Sequence, residues 1–299
     1  MWIIYALLTF AAWGIADLFY KIGNYGEGEY NHLKTGVLVG LVMGLHATIY
    51  LFINNVDISL IEIIKYLPVS LLYISSMVIG YKGLKYLELS ISSPIQNTSG
   101  VITAILLLIF FKEHYDIPFY IATVLIFVGI FWLSVIETKR NKSERDKFKK
   151  NNKVEKVLIF TIIFPLIYCI LDGAGTFLDG IYLDKMELIS EDNALVAYEY
   201  TFLLYGIVSY IYLRIKKVKF NRELEKPKLM AAIFETAGQF FYVFAMGINA
   251  TISAPIVGSY CILSMLLSRI FLKEKLTKKE YIAIFLVVVG IVILAIMDV

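Results

Sequence analysis

Along the chain, apolar residues gather into ten long stretches, 2–20, 35–53, 66–86, 94–111, 117–136, 157–177, 194–213, 228–246, 252–272 and 279–297, divided by short polar joints. Each approaches the roughly 20 residues that a helix needs to cross about 30 Å of hydrocarbon while satisfying its own backbone. The pattern predicts an all-α membrane protein with ten transmembrane helices. The first stretch starts at Trp2 with no basic residue ahead of it, so a retained span is expected rather than a cleaved signal. Only 137–156, "ETKRNKSERDKFKKNNKVEK", and 214–228, "RIKKVKFNRELEKPK", are charged stretches of any length, which leaves no room for a soluble catalytic domain.

The pattern also repeats. "LELSISSPIQNTSG" (87–100) runs into one apolar stretch as "INATISAPIVGSYC" (248–261) runs into another. A shift of 161 residues places Ser92, Pro94, Ile95, Lys112, Glu113, Tyr120, Gly129 and Ile130 over Ser253, Pro255, Ile256, Lys273, Glu274, Tyr281, Gly290 and Ile291. A shift near 159 sets Gly14 over Gly173. The expected organisation is a first five-helix repeat at 1–136, a basic linker at 137–156 and a second five-helix repeat at 157–299. Five is odd, so the halves enter the membrane from opposite faces, the inverted repeat of a transporter. The other reading is a duplication kept for packing. Pro94 and Pro255 read as matched starts of the fourth and ninth helices, since proline fits the first helical turn. The serines and glycines around them either line a cavity or serve as packing glue.

Composition agrees: 59% of residues are hydrophobic and 15% aromatic, with mean hydropathy +0.73. The net charge of +3 hides an asymmetry. Of 28 lysines and arginines, all but Lys65, Lys112, Lys185 and Arg269 fall in one set of connections. Positive charge marks the cytoplasmic side, which predicts a cytoplasmic 137–156 loop and both termini outside. An integral protein of a bacterial plasma membrane is expected. Cys169 and Cys261 sit inside spans without metal spacing and are expected to pack as small hydrophobes.

Ionisable groups within spans are costly and default to functional candidates. Acids dominate: Asp17, Asp172, Glu199 and Glu235. Glu199 and Glu235 lead, each with at least a turn of apolar residues on both sides. Loss of hydration suits such a carboxylate to exchanging a proton for a cationic substrate, although Arg269 could instead hold one acid in a static ion pair. Gln239 shares a helix face with Glu235. Asp17 lies at i,i+4 from Lys21 and reads as a helix-end pair. Asp172 is open between a functional and a structural role. His46 is either a satisfied core residue or a proton relay. Trp13, Tyr198, Tyr242 and Tyr260 stand at polar or glycine-rich places where aromatic faces beside a carboxylate would hold an organic cation, packing being the other reading.

No HExxH, GxSxG or multi-histidine cluster appears, nor a P-loop, so neither a membrane-embedded enzyme nor an ATP-driven pump is indicated, and no cofactor or metal is expected. No filter-like loop indicates a channel. The expected function is secondary transport of a small polar metabolite by alternating access, an amine or amino acid being favoured over exchange of an anionic metabolite. The partners are that substrate, a coupling proton or sodium ion, and the lipid bilayer, with no nucleic acid; the sequence leaves oligomeric state open.

The penultimate helix of each half ends in "FFKEH" (110–114) or "FLKEK" (271–275), and the last helix carries "VGI" at 128–130 and again at 289–291. With "SAPIVGSYCILSMLLSRIFLKEKLTKKEYIAIFLVVVGI", these marks resemble the EamA family of the drug/metabolite transporter superfamily across essentially the whole chain. The resemblance implies a ten-helix carrier without ATP hydrolysis, for metabolites such as amino acids, nucleotides or cationic compounds. Glu113 and Glu274 match its short motif, and both read as helix-end residues with a structural role.

Overall fold

The computed structural model describes residues 2–24, 28–84, 96–148, 152–273 and 275–297. Pro94 and Glu274 lie outside the described residues. Every described element is a helix: α1 (Trp2–Asn24), α2 (Asn31–Asn54), α3 (Leu60–Gly83), α4 (Ser99–Phe111), α5 (Ile117–Phe148), α6 (Asn152–Asp179), α7 (Glu191–Ile215), α8 (Arg222–Val257), α9 (Cys261–Phe271) and α10 (Lys278–Ile296). A π-turn, Gly180–Lys185, extends α6, and a 3₁₀ turn, Gly258–Tyr260, joins α8 to α9. Among the described residues, eight segments are long and apolar enough to cross a membrane, and α4 is a shorter apolar helix. The surface carries the matching signature, with Leu45, Phe52, Ile109, Phe110 and Phe285 all more than half exposed. Lipid is the medium that makes such an exterior stable.

Local sequence sets the ends. Ser59 with Glu62, and Thr277 with Glu280, form capping boxes that open α3 and α10. Ser190 and Asn221 cap α7 and α8. Lys112 and Lys273, equivalent in the 161-residue register, both stand in the left-handed region at φ 53° and 57° and terminate α4 and the α8–α9 segment.

The 222–271 segment is 50 residues long. A straight helix of that length would measure ~75 Å, far beyond a bilayer. It breaks at Asn249, where the backbone is extended (φ −161°, ψ 94°). The break is satisfied on both sides. Asn249 Oδ1 accepts from the Ile252 N–H at 3.0 Å, and Asp184 accepts from the Ala250 N–H at 2.8 Å. Ser253 donates to the freed Ala245 carbonyl at 2.9 Å. Asn249, an N-cap residue by chemistry, therefore starts the returning segment. This corrects the expectation that Pro255 does so: the proline lies inside α8, more than a turn beyond the break. Within the 137–156 stretch, α5 continues to Phe148 and α6 begins at Asn152.

The helices pack across the two halves of the chain: α1 on α8, α3 on α6, α2 on α7 and α5 on α10. Glycine permits the last crossing. A Cβ on Gly129 would collide with Val287 and come within 2.9 Å of the Ala283 carbonyl oxygen; on Gly290 it would come within 2.7 Å of Ile126 and 2.8 Å of the Ala122 carbonyl oxygen. Ala122, Ile126 and Gly129 stand 161 residues before Ala283, Val287 and Gly290, so the crossing reads the same from either side.

Candidate functional site

Where α1, α3, α4, α6, α7 and α8 converge, the interior is hollow. The space, counted out through its mouth and including open solvent there, is about 790 Å³. It runs from Tyr73 and Tyr242, near the middle of α3 and α8, to Leu84 and Gln96 at the ends of α3 and α4.

Among the described residues three carboxylates line it, each from a different helix: Asp17 from α1, Asp172 from α6 and Glu235 from α8. Each is served by hydroxyl donors. Ser264 donates to Asp17 at 2.9 Å and Ser99 to Asp172 at 2.6 Å. Ser99 is the first residue of α4, so Asp172 sits where a helix N-terminus favours negative charge. Glu235 faces the hydroxyl of Tyr20, which in turn accepts from Tyr81 at 2.9 Å. Among the described residues, no lysine or arginine lines the cavity. Gln239, one turn beyond Glu235, is buried in the wall with its Nε2 lacking any hydrogen-bond partner.

The walls are aromatic. Trp13, Tyr198, Tyr242 and Tyr260 all line the cavity, with Tyr73 and Tyr168. The Trp13 ring lies 5.0 Å from Tyr242 and 5.8 Å from Tyr260, and its Nε1 donates to the Glu235 carbonyl at 3.3 Å. It packs against Gly238, where a side chain would collide with the indole.

Beyond Tyr73 and Tyr242 the interior closes. Asp179, fully buried, accepts from Tyr66 and from Tyr73 at 3.2 Å. Farther on, Lys185 pairs with Glu113 and, at 2.7 Å, with Asp184, while Glu113 accepts from Thr251 at 2.6 Å. Glu113 thus binds the end of α4 to the π-turn after α6 and to the restart of α8.

The expected acids part company here. Glu235 enters the cavity with Asp17 and Asp172, whereas Glu199 lies outside it, fully buried between α7 and α2. His46 Nδ1 lies 2.8 and 2.9 Å from the two Glu199 oxygens, so the histidine is partnered and away from the cavity. Arg269 is exposed on the exterior, its guanidinium 5.0 Å from the Tyr281 ring centre. The expectation that it neutralises a span carboxylate is therefore corrected. Ser264 and Ser268 take the inward face of α9 and leave Arg269 outside. Lys21 donates to the Leu84 carbonyl at 3.0 Å.

Asp179 escaped the sequence reading. Its signal was the repeated "LDG" of 171–173 and 178–180, which puts Asp172 and Asp179 at i,i+7 on one helix face. Among the described residues no group of three or more His, Cys, Asp or Glu is placed to hold a metal.

No curated protein matches the sequence. A solved crystal structure is similar at TM-score 0.68 over 98% of this chain and 96% of its own, at 10% identity, a likeness of fold alone. The model of the EamA-like transporter family matches residues 1–135 and 157–296. With nearly its whole length so matched, a lipid-compatible helical exterior and a polar cavity inside, this chain belongs to the EamA-like transporter family, within the drug/metabolite transporter superfamily.

Proposed function

We propose that the protein is a secondary carrier of a small organic cation or zwitterion, worked by alternating access of two inverted five-helix units, 1–136 and 157–299. Counting α4 and dividing the 222–271 segment at Asn249 supports ten spans. The self-reciprocal crossing at Gly129 and Gly290 supports the inversion, as does the pairing of α1 on α8 with α3 on α6. The observation that carries the substrate class is the cavity between the halves, lined among the described residues by three carboxylates, no lysine or arginine, and a tyrosine–tryptophan wall. Aromatic faces with carboxylates hold ammonium groups well.

In this conformation the cavity reaches toward the ends of α1 and α3, and the Lys185–Glu113 network seals the opposite end. The lysine-rich connections lie at the cavity's end, which supports an opening toward the cytoplasm. Exchange of protons for substrate at the cavity carboxylates supplies the coupling.

The test is flux in proteoliposomes of purified protein, with a labelled amine and an imposed pH gradient. Saturable accumulation that collapses with a protonophore supports the reading. Accumulation of anionic metabolites in place of amines overturns it.

A further inference from the structure

Resting on that reading, the arrangement of acids goes further than a single positive charge. Asp172 and Glu235 belong to α6 and α8, two helices of the second half of the chain, and they face one cavity. The donors that hold them, Ser99 at Asp172 and Tyr20 at Glu235, are neutral. A ligand with one ammonium group satisfies one acid and leaves the other charge inside the protein with hydroxyl partners alone, a costly state. The same cavity is lined by Trp13, Tyr198 and Tyr242, aromatic side chains that suit methylene groups and cations alike. Gln239 adds a buried side-chain amide whose Nε2 is unpartnered. Turned about its last bond, it offers its oxygen to an N–H donor.

We propose that the cavity takes a linear organic dication, an aliphatic diamine or polyamine, with one ammonium group at Glu235, a second at Asp172, and the methylene chain against the Trp13–Tyr242 wall. Asp17 extends the acidic lining toward the mouth, where the next positive charge of a longer polyamine would stand.

Calorimetric titration of the purified full chain, at neutral pH, tests this with 1,4-diaminobutane, 1,5-diaminopentane and 1,6-diaminohexane against n-pentylamine and 5-aminopentanoate. A charge-assisted hydrogen bond is worth about 1.5–3 kcal/mol, so the best diamine is expected to bind at least about tenfold more tightly than the monoamine. The optimum among the three lengths reports the separation of the two acids. D172N is expected to bring the diamine-to-monoamine ratio to about one. Equal affinity for monoamine and diamine, or preference for the zwitterion, overturns the dication and leaves the cation-carrier reading standing. Binding of anionic metabolites with none of the amines overturns both. The comparison of ligands on the unmodified protein decides the matter even where the variant fails to fold.

Discussion

Tyr73 of α3 and Tyr242 of α8 meet hydroxyl to hydroxyl at 2.6 Å, bridging the two halves of the chain at the blind end of the cavity. Behind them Asp179 of α6 accepts from Tyr73 and Tyr66 of α3, and Tyr73 links that buried carboxylate to Tyr242 of α8. Asp179→Ala removes the acceptor and leaves the Tyr66 hydroxyl unsatisfied in a closed interior, at about 1–3 kcal/mol, while Tyr73 keeps Thr176 and Tyr242. Asp179→Asn keeps an acceptor oxygen. The alanine variant is therefore expected to lower the thermal midpoint in detergent well beyond the asparagine variant, and equal losses would refute the acceptor role.

Glu235 is the carboxylate best placed for coupling, buried in α8 with the Trp13 indole on its own carbonyl and Tyr20 before its side chain. Glutamine keeps the shape and removes the titration. Glu235→Gln is expected to lose accumulation driven by a pH gradient while retaining substrate exchange between loaded vesicles. Loss of neither would remove Glu235 from the coupling.

The Glu199–His46 pair joins α7 to α2 outside the cavity. His46→Ala strands a fully buried Glu199, whereas the His46→Ala, Glu199→Gln double variant has no stranded carboxylate. The double variant is expected to be the more stable of the two, by about 1–3 kcal/mol if the stranded group carries the whole penalty. Additive losses in the double-mutant cycle would show two independent residues.

Gly129 and Gly290 leave no room for a β-carbon at the α5–α10 crossing. Gly129→Val and Gly290→Val are expected to destabilise to a similar extent, about 1–3 kcal/mol from overpacking. Folded yield by size exclusion and the thermal midpoint report it. A large loss from one alone would argue against a reciprocal crossing.

Much of this was legible in one sequence because the bilayer imposes long apolar runs, and because a register of 161 residues preserves small residues where two helices touch. Gly129 and Gly290 were visible for that reason, and their contact explains why they recur. What stayed hidden depends on which way a side chain faces. Arg269 looked available to an acid, but the Ser264–Ser268 stripe turns it outward. Asp17 looked like the partner of Lys21, yet it lines the cavity and accepts from Ser264, 247 residues away. Tyr20 and Tyr81 join only through the packing of α1 against α3, a contact that no local pattern encodes. Asn249 was hidden by a nearer signal, since Pro255 is the more obvious helix starter while the turn is made by an asparagine and an aspartate from another helix.

The network around Lys185 yields a last prediction about motion. Lys185 is nearly buried and holds both Glu113 and Asp184, while Asp184 carries the Ala250 N–H at the break in α8. One ammonium therefore ties the end of α4, the π-turn and the returning segment at the end away from the cavity mouth. Lys185→Gln keeps donors for a weaker bond but removes the charge. If the pairs together contribute about 1.4 kcal/mol to the sealed arrangement, their loss shifts the two populations about tenfold toward opening at that end. In a background without Cys169 and Cys261, a cysteine at Thr176, in the cavity wall beside Tyr73, reads the change from the sealed side. Lys185→Gln is expected to speed its reaction with an impermeant maleimide several-fold, and Lys185→Arg to leave it slow. Equal rates in both variants and the parent would mean that the seal lies in the tyrosines around Asp179 rather than in the ion pairs above them.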